Sequence, residues 1–92
     1  MIKSFKDKNT KNLFNRQPVH QWNSIQAIAR NKLEALNAAT QLTQLSAVPG
    51  NRLRKLSGDL RGYYRLWVNK QYRIIFQWKD NHAYQVQLLD YH

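Results

Sequence analysis

From residue 63 onward the side chains alternate in character with a period of two. Tyr64, Leu66 and Val68 share one parity, and Tyr63, Arg65 and Trp67 the other. After Asn69-Lys70 the alternation resumes, with Tyr72, Ile74, Phe76 and Trp78 set against Gln71, Arg73, Ile75 and Gln77. A break over 79–82 precedes a third segment, in which Tyr84, Val86 and Leu88 alternate with Ala83, Gln85 and Gln87. A helix cannot place every second residue on one face, whereas a strand must. Three such segments divided by short polar breaks predict an antiparallel sheet with one buried face and one wetter face. Arg65 and Arg73 fall on the wetter face in neighbouring strands. The last residues, Asp90-Tyr91-His92, add an acid, a phenol and an imidazole. Asp90 and His92 share the parity of the apolar set, so they face Arg73 only if the strand ends or twists near Leu89.

Upstream the pattern changes. Ile2 to Phe5 alternates and predicts a short strand at an edge of the sheet. Residues 7–14 predict a short helix anchored by Leu13 and Phe14, closed before Pro18 because the residue preceding proline avoids helical angles. Over 19–39, Trp22, Ile25, Ala29, Leu33 and Leu36 recur at steps of three and four, joined by Ile28 and Ala39; this predicts the main helix and the stripe that packs on the sheet. Thr40 is placed to cap a further turn holding Leu42 and Leu45. Pro49-Gly50 breaks the chain, and 52–57 predicts a first strand followed by a loop with Gly58 and Gly62 at its ends.

Ninety-two residues predict one domain over 1–92, with a small core. The absence of cysteine removes disulfides and thiolate metal sites and fits a reducing cytoplasm. No apolar stretch approaches the roughly 20 residues of a membrane helix, and the start lacks the apolar run of a signal peptide. Fifteen Lys and Arg against five Asp and Glu give a formal charge of +10, and the pI is near 10.3. Solubility needs a net charge of only about 2–8 in a small domain. The excess, spread along the chain and interleaved with aromatics, points to a folded surface for nucleic acid, not a membrane anchor.

Three histidines, His20, His82 and His92, have no metal-ligand spacing, and His20 and His82 are expected to be solvated. No phosphate-binding glycine loop or nucleophile elbow is present, and acids are too few for a two-metal nuclease. The remaining chemistry is attack by an RNA 2′-hydroxyl on its own phosphate. That reaction needs in-line positioning, a base, an acid, and cations on the transition state. Guanidinium forks suit the cationic role, so Arg73 and Arg65 are candidates, with Arg54 and Lys55 as further RNA contacts. His92 exchanges protons near neutral pH, Asp90 is placed to orient it, and Tyr91 to stack or donate a proton. Trp67, sharing parity with Arg65, is a candidate for stacking on a base.

Five segments resemble the HigB group of the RelE/ParE toxin superfamily, also called plasmid-maintenance killer proteins. They are MIKSF at the start, RL-x-x-L-x-G-D over 52–59, Gly62-Tyr63-Tyr64, YRI-x-F within 71–76, and the final DYH. The resemblance covers essentially the whole chain, and the join of YRIIF to LLDYH is its most specific part. It implies an α+β, RelE-like microbial RNase fold, with N-terminal helices packed on a twisted antiparallel sheet of four to five strands. It also implies a ribosome-dependent mRNA interferase, working without a cofactor or metal in the A site of the 30S subunit, beside the 16S rRNA. The expected partner is a HigA-like helix-turn-helix antitoxin. Arg73 matches the family's transition-state arginine, and Asp90, Tyr91 and His92 match its terminal catalytic group. Where relatives often read RLHPLKGD, this chain reads RLRKLSGD. Arg54 therefore replaces a usual histidine and cannot act as a base, while Lys55 stands in for the charge missing at Ser57. Two other readings stay open at this point: a gyrase-poisoning toxin of the same fold, and a basic RNA-binding module without activity.

Overall fold

The computed structural model describes residues 1–91; His92, expected in the catalytic group, lies outside the described residues. Helices α1 (Lys8–Phe14), α2 (Gln26–Ala38) and α3 (Leu42–Ser46) precede strands β1 (Arg54–Lys55), β2 (Tyr63–Trp67), β3 (Tyr72–Lys79) and β4 (His82–Asp90). The strands pair antiparallel in the order β1-β2-β3-β4. Beside β4 the N-terminal segment adds two isolated parallel bridges, Ile2 to Ala83 and Phe5 to Val86. This is the α+β arrangement expected, with the N-terminus at a sheet edge.

One face of the sheet packs under the helices. Leu66, Ile74, Phe76, Val86 and Leu88 meet Leu13, Ala29, Leu33 and Leu36 in a single buried cluster. The stripe at 22, 25, 29, 33 and 36 is buried throughout, but it does not lie on one helix. His20–Trp22 is a separate 3-10 turn, and Ile25 (φ −121, ψ 2) precedes α2. Asn23 and Ser24 account for the break, since their side chains compete for backbone hydrogen bonds and disfavour helix interiors. Ile28, grouped with the stripe, is 43% exposed. The cap of α3 is Gln41, one residue after the expected Thr40, because Gln44 Oε1 reaches back to both backbone N–H groups, at 2.7 Å from Thr40 N and 3.3 Å from Gln41 N.

The strict alternation fails in β4. Ile75 pairs with Gln87 but Gln77 pairs with Tyr84, so β4 spends one extra residue over this interval. Gln85 takes that residue's place with φ 54, and its N–H is satisfied by Ser4 Oγ at 2.9 Å. Such a bulge reverses the parity of everything before it. Ala83 is thereby in the core, and Tyr84 joins Tyr63 and Gln77 on the wetter face, opposite to the sequence expectation. The β3–β4 connection is a tight two-residue turn, with Asp80 and Asn81 both left-handed (φ 52 and 65), as hairpins with a right-handed twist require.

A buried polar contact ties α1 to the last strand. Asp7 caps the helix, accepting from Thr10 N at 3.0 Å and from Thr10 Oγ1 at 2.6 Å. The same hydroxyl oxygen accepts from Leu88 N at 3.0 Å, and Thr10 is fully buried. Thr10→Val keeps the shape and strands the Leu88 N–H. A loss of about 1–3 kcal/mol in unfolding free energy is expected in urea titration, and an unchanged midpoint would show that water replaces the hydroxyl.

Candidate active site

Arg73 is positioned by the turn before it. Asn69 Oδ1 accepts from the N–H groups of Gln71 and Tyr72, both at 2.8 Å, which folds the 69–72 turn. That turn directs the Asn69 and Tyr72 carbonyls at Arg73, whose Nη1 donates to both, at 3.0 Å to Tyr72 O. The guanidinium is also flanked by two rings, with its Cζ 5.7 Å from the Trp67 centroid and 5.6 Å from that of Tyr91.

Register builds the rest of the cluster. Arg54 pairs with Arg65, and Trp67 with Arg73, so all four side chains leave the same face of the sheet. Arg65 sits 5.4 Å from the Tyr91 ring, and Arg52 4.3 Å from the Trp67 ring. Arg52, Arg54, Arg65, Arg73 and Trp67 line a cavity of about 150 Å³, a lining of four guanidinium groups and no carboxylate. Burial holds the Arg73 pKa below the usual arginine range, with Arg65 and Arg52 pushing the same way and Tyr91 opposing them. An arginine still keeps its charge at neutral pH. A small pocket with this electrostatics is suited to a phosphate group.

The predicted residues are not all here. Arg73, Arg65, Arg54 and Tyr91 converge. Lys55 pairs with Tyr64, whose ring stacks on core Phe76, so Lys55 leaves the opposite face. Asp90 pairs with Tyr72, because β4 runs on regularly and does not twist at Leu89. Its carboxylate accepts from Gln71 Nε2 at 2.9 Å, away from the arginine face. Tyr91, by contrast, is drawn to the cluster side, its N–H donating to Gln71 O at 2.6 Å. His20 is exposed, whereas His82 is half-buried with its Nδ1 enclosed and unpartnered among the described residues, a correction to the solvated reading. Sequence reasoning missed Arg52 and Asn69. The signals were the i,i+2 spacing of Arg52 with Arg54 and an asparagine heading a turn.

A wider groove of about 720 Å³ runs between the N-terminal segment and α1, lined by Lys3, Lys6, Lys8 and Lys11. Its one carboxylate, Asp7, is engaged in capping α1, so the groove offers charge but no proton-transfer group. Among the described residues no three His, Cys, Asp or Glu side chains come together as a metal site. No helix is long and apolar enough to cross a membrane.

Helices on one face of a four-stranded antiparallel sheet, with cations on the other, define a RelE-like toxin domain. The solved YoeB–YefM complex from Staphylococcus aureus contains a chain of this fold, superposing with a TM-score of 0.63 over 100% of this chain and 98% of that one at 17% identity. Sequence then places it more closely. The model of the HigB-like toxin family, described as the RelE-like toxin of type II toxin-antitoxin system HigB, matches residues 3–92, and the chain belongs to that family. It is 40% identical to Toxin HigB-1 of Vibrio cholerae over 90 residues, 96% of this chain and 95% of that protein. It is 36% identical to Endoribonuclease HigB of Proteus vulgaris over the full length of both.

Proposed function

We propose that this toxin is an endoribonuclease that cuts mRNA in the ribosomal A site, in the cytoplasm, without a metal. The observation that carries the proposal is the convergence of four arginines and Tyr91 on one small, carboxylate-free cavity. Its full-length relative in Proteus vulgaris bears the name Endoribonuclease, which supports the same class. In the proposed reaction the 2′-oxygen attacks the adjacent phosphorus and the P–O5′ bond breaks. A 2′,3′-cyclic phosphate and a 5′-hydroxyl result. Arg73 neutralises the charge on the equatorial oxygens, with Arg65 and Arg54 holding the phosphate. Arg54 is cationic throughout and takes no proton, so proton transfer falls to Tyr91 and His92, with Asp90 placed outside the pocket to brace the last strand through Gln71.

A toxin of a toxin–antitoxin pair needs a neutralising partner, and YoeB is found in complex with YefM. We infer a HigA-like helix-turn-helix antitoxin for this chain, and contact with 16S rRNA through its basic surface.

Tyr91→Phe separates two roles, because it keeps the ring beside Arg65 and Arg73 and removes the hydroxyl. The expected result is a roughly 10²–10⁴-fold slower single-turnover cleavage on programmed ribosomes, with mRNA binding retained. A Phe variant at wild-type rate, with Tyr91→Ala slow, would assign Tyr91 to stacking alone. Mapping mRNA 5′ ends after induction tests the whole reading. Codon-phased cuts with cyclic phosphate ends are expected; growth arrest without them would move the activity to a target such as gyrase.

A further inference from the structure

We propose that Arg52, seated on Trp67, is a further phosphate-contacting residue of this site, its ligand a backbone phosphate of single-stranded RNA. The proposal rests on the endoribonuclease reading above and extends it to two residues which that reading does not use.

Three observations converge on Arg52. Its guanidinium lies 4.3 Å from the Trp67 centroid, a shorter approach than the 5.4–5.7 Å of the other arginine–ring contacts in the site. Stacking on a ring fixes the plane of the fork yet leaves its in-plane N–H donors for another partner. Among the described residues no hydrogen bond of that side chain competes for them. Second, Arg52 lines the same cavity as Arg54, Arg65 and Arg73, and it depresses the Arg73 pKa, so the two charges feel each other. Packing alone gives no reason to gather a fourth cation there, whereas a bound phosphate does.

Third, the backbone at Arg52 is left-handed (φ 43, ψ 49), closing the 3-10 turn Pro49–Asn51. Glycine would fit that conformation better than any long side chain. The arginine is thus held against the local backbone preference, and the turn delivers its side chain to the face where Arg54 and Arg65 already stand. Trp67 acts through Arg52 and Arg73 and is a positioning residue. Its ring is the one surface shared by both guanidinium groups.

The left-handed backbone supplies a clean variant, since Arg52→Gly removes the cation and relieves the conformation together. A fully 2′-O-methylated single-stranded RNA, which cannot be cleaved, serves as probe in fluorescence anisotropy across a salt series. For Arg52→Gly the melting temperature should be unchanged or raised, the affinity lower, and the slope of log affinity against log salt shallower by about 0.7, the loss of one phosphate contact on a single strand. Trp67→Leu should reproduce the shallower slope, and Trp67→Phe should restore it. The double variant Arg52→Gly, Trp67→Leu should be no weaker than Trp67→Leu alone, because the two act as one unit. A wild-type slope in Arg52→Gly, or fully additive losses in the double variant, overturns the proposal while the nuclease reading stands. RNA binding that depends on Arg52 without any codon-phased cleavage supports the phosphate contact and overturns the nuclease reading. Wild-type protein without salt-dependent RNA binding overturns both.

Discussion

Arg73→Ala should slow single-turnover cleavage on programmed ribosomes by roughly 10²–10³-fold, about 3–4 kcal/mol of transition-state stabilisation. The argument is positional. Both hydrogen bonds that the guanidinium makes to described residues use Nη1, to the Asn69 and Tyr72 carbonyls, which fixes its plane. The Trp67 and Tyr91 rings close it in on either hand. A donor fixed before substrate arrives does not have to reorganise as charge develops on the phosphate. Arg73→Lys should recover little, because an ammonium on a flexible stem lacks the planar fork that meets two phosphate oxygens. Stability should move the other way. The pKa of Arg73 is lowered in the folded protein, by burial first and then by Arg65. Folding therefore disfavours its charged form, and Arg73→Ala should leave the melting temperature unchanged or raise it. A loss of cleavage smaller than about tenfold, or a marked fall in melting temperature, would recast Arg73 as a structural residue.

The sheet that presents Arg73 was legible in the sequence because alternation is a local property. Parity placed Arg65, Arg73 and Trp67 on one face and Leu66, Ile74 and Phe76 on the other, and the register agrees. Parity also warned that Asp90 would leave from the core side, and it does, opposite Tyr72. What alternation could not carry was the bulge at Gln85, which depends on a partner far away in sequence, the Ser4 hydroxyl that takes its N–H. Tyr84 and Ala83 were consequently exchanged. The long helix failed for a related reason. Trp22 and Ile25 obey the helical period, but they are buried by tertiary packing around a break that Asn23 and Ser24 make.

The site was legible only in part. Composition and the terminal motif pointed to arginines and Tyr91, which the structure brings together. Lys55 followed Arg54 in sequence, and adjacency in a strand sends neighbours to opposite faces. Arg52 escaped notice because its contact with Trp67 depends on a left-handed residue that no apolar pattern announces. Functional geometry in this chain departs from local rules where the backbone turns, at Arg52 and Asn69, and those are places where sequence-level reasoning is weakest.

Phe76→Ala should cost about 3–5 kcal/mol of stability and lower the melting temperature by roughly 15–30 °C, the largest thermodynamic effect expected of one substitution here. Phe76 is fully buried and lies in β3 opposite the point where β4 bulges. Its ring stacks on Tyr64 at 5.9 Å and meets Trp78 edge-on at 6.2 Å. Truncation removes the transfer free energy of the ring, opens a cavity, and forfeits aromatic contacts worth about 0.5–1.5 kcal/mol each. Since a domain of this size has only about 5–14 kcal/mol in total, the variant stands near the threshold of folding. Phe76→Leu refills most of the volume and should lose less than half as much. The two variants also separate stability from chemistry. Phe76 and Arg73 have opposite parity on one strand, so Phe76→Leu, assayed well below its melting temperature, should cleave at a near wild-type rate. A Phe76→Leu protein that is folded yet slow would show that the arginine face depends on core packing more closely than the register implies. A Phe76→Ala protein within about 1 kcal/mol of wild type would mean that the core closes around the gap, and that the rings of Tyr64 and Trp78 can fill the place of the one between them.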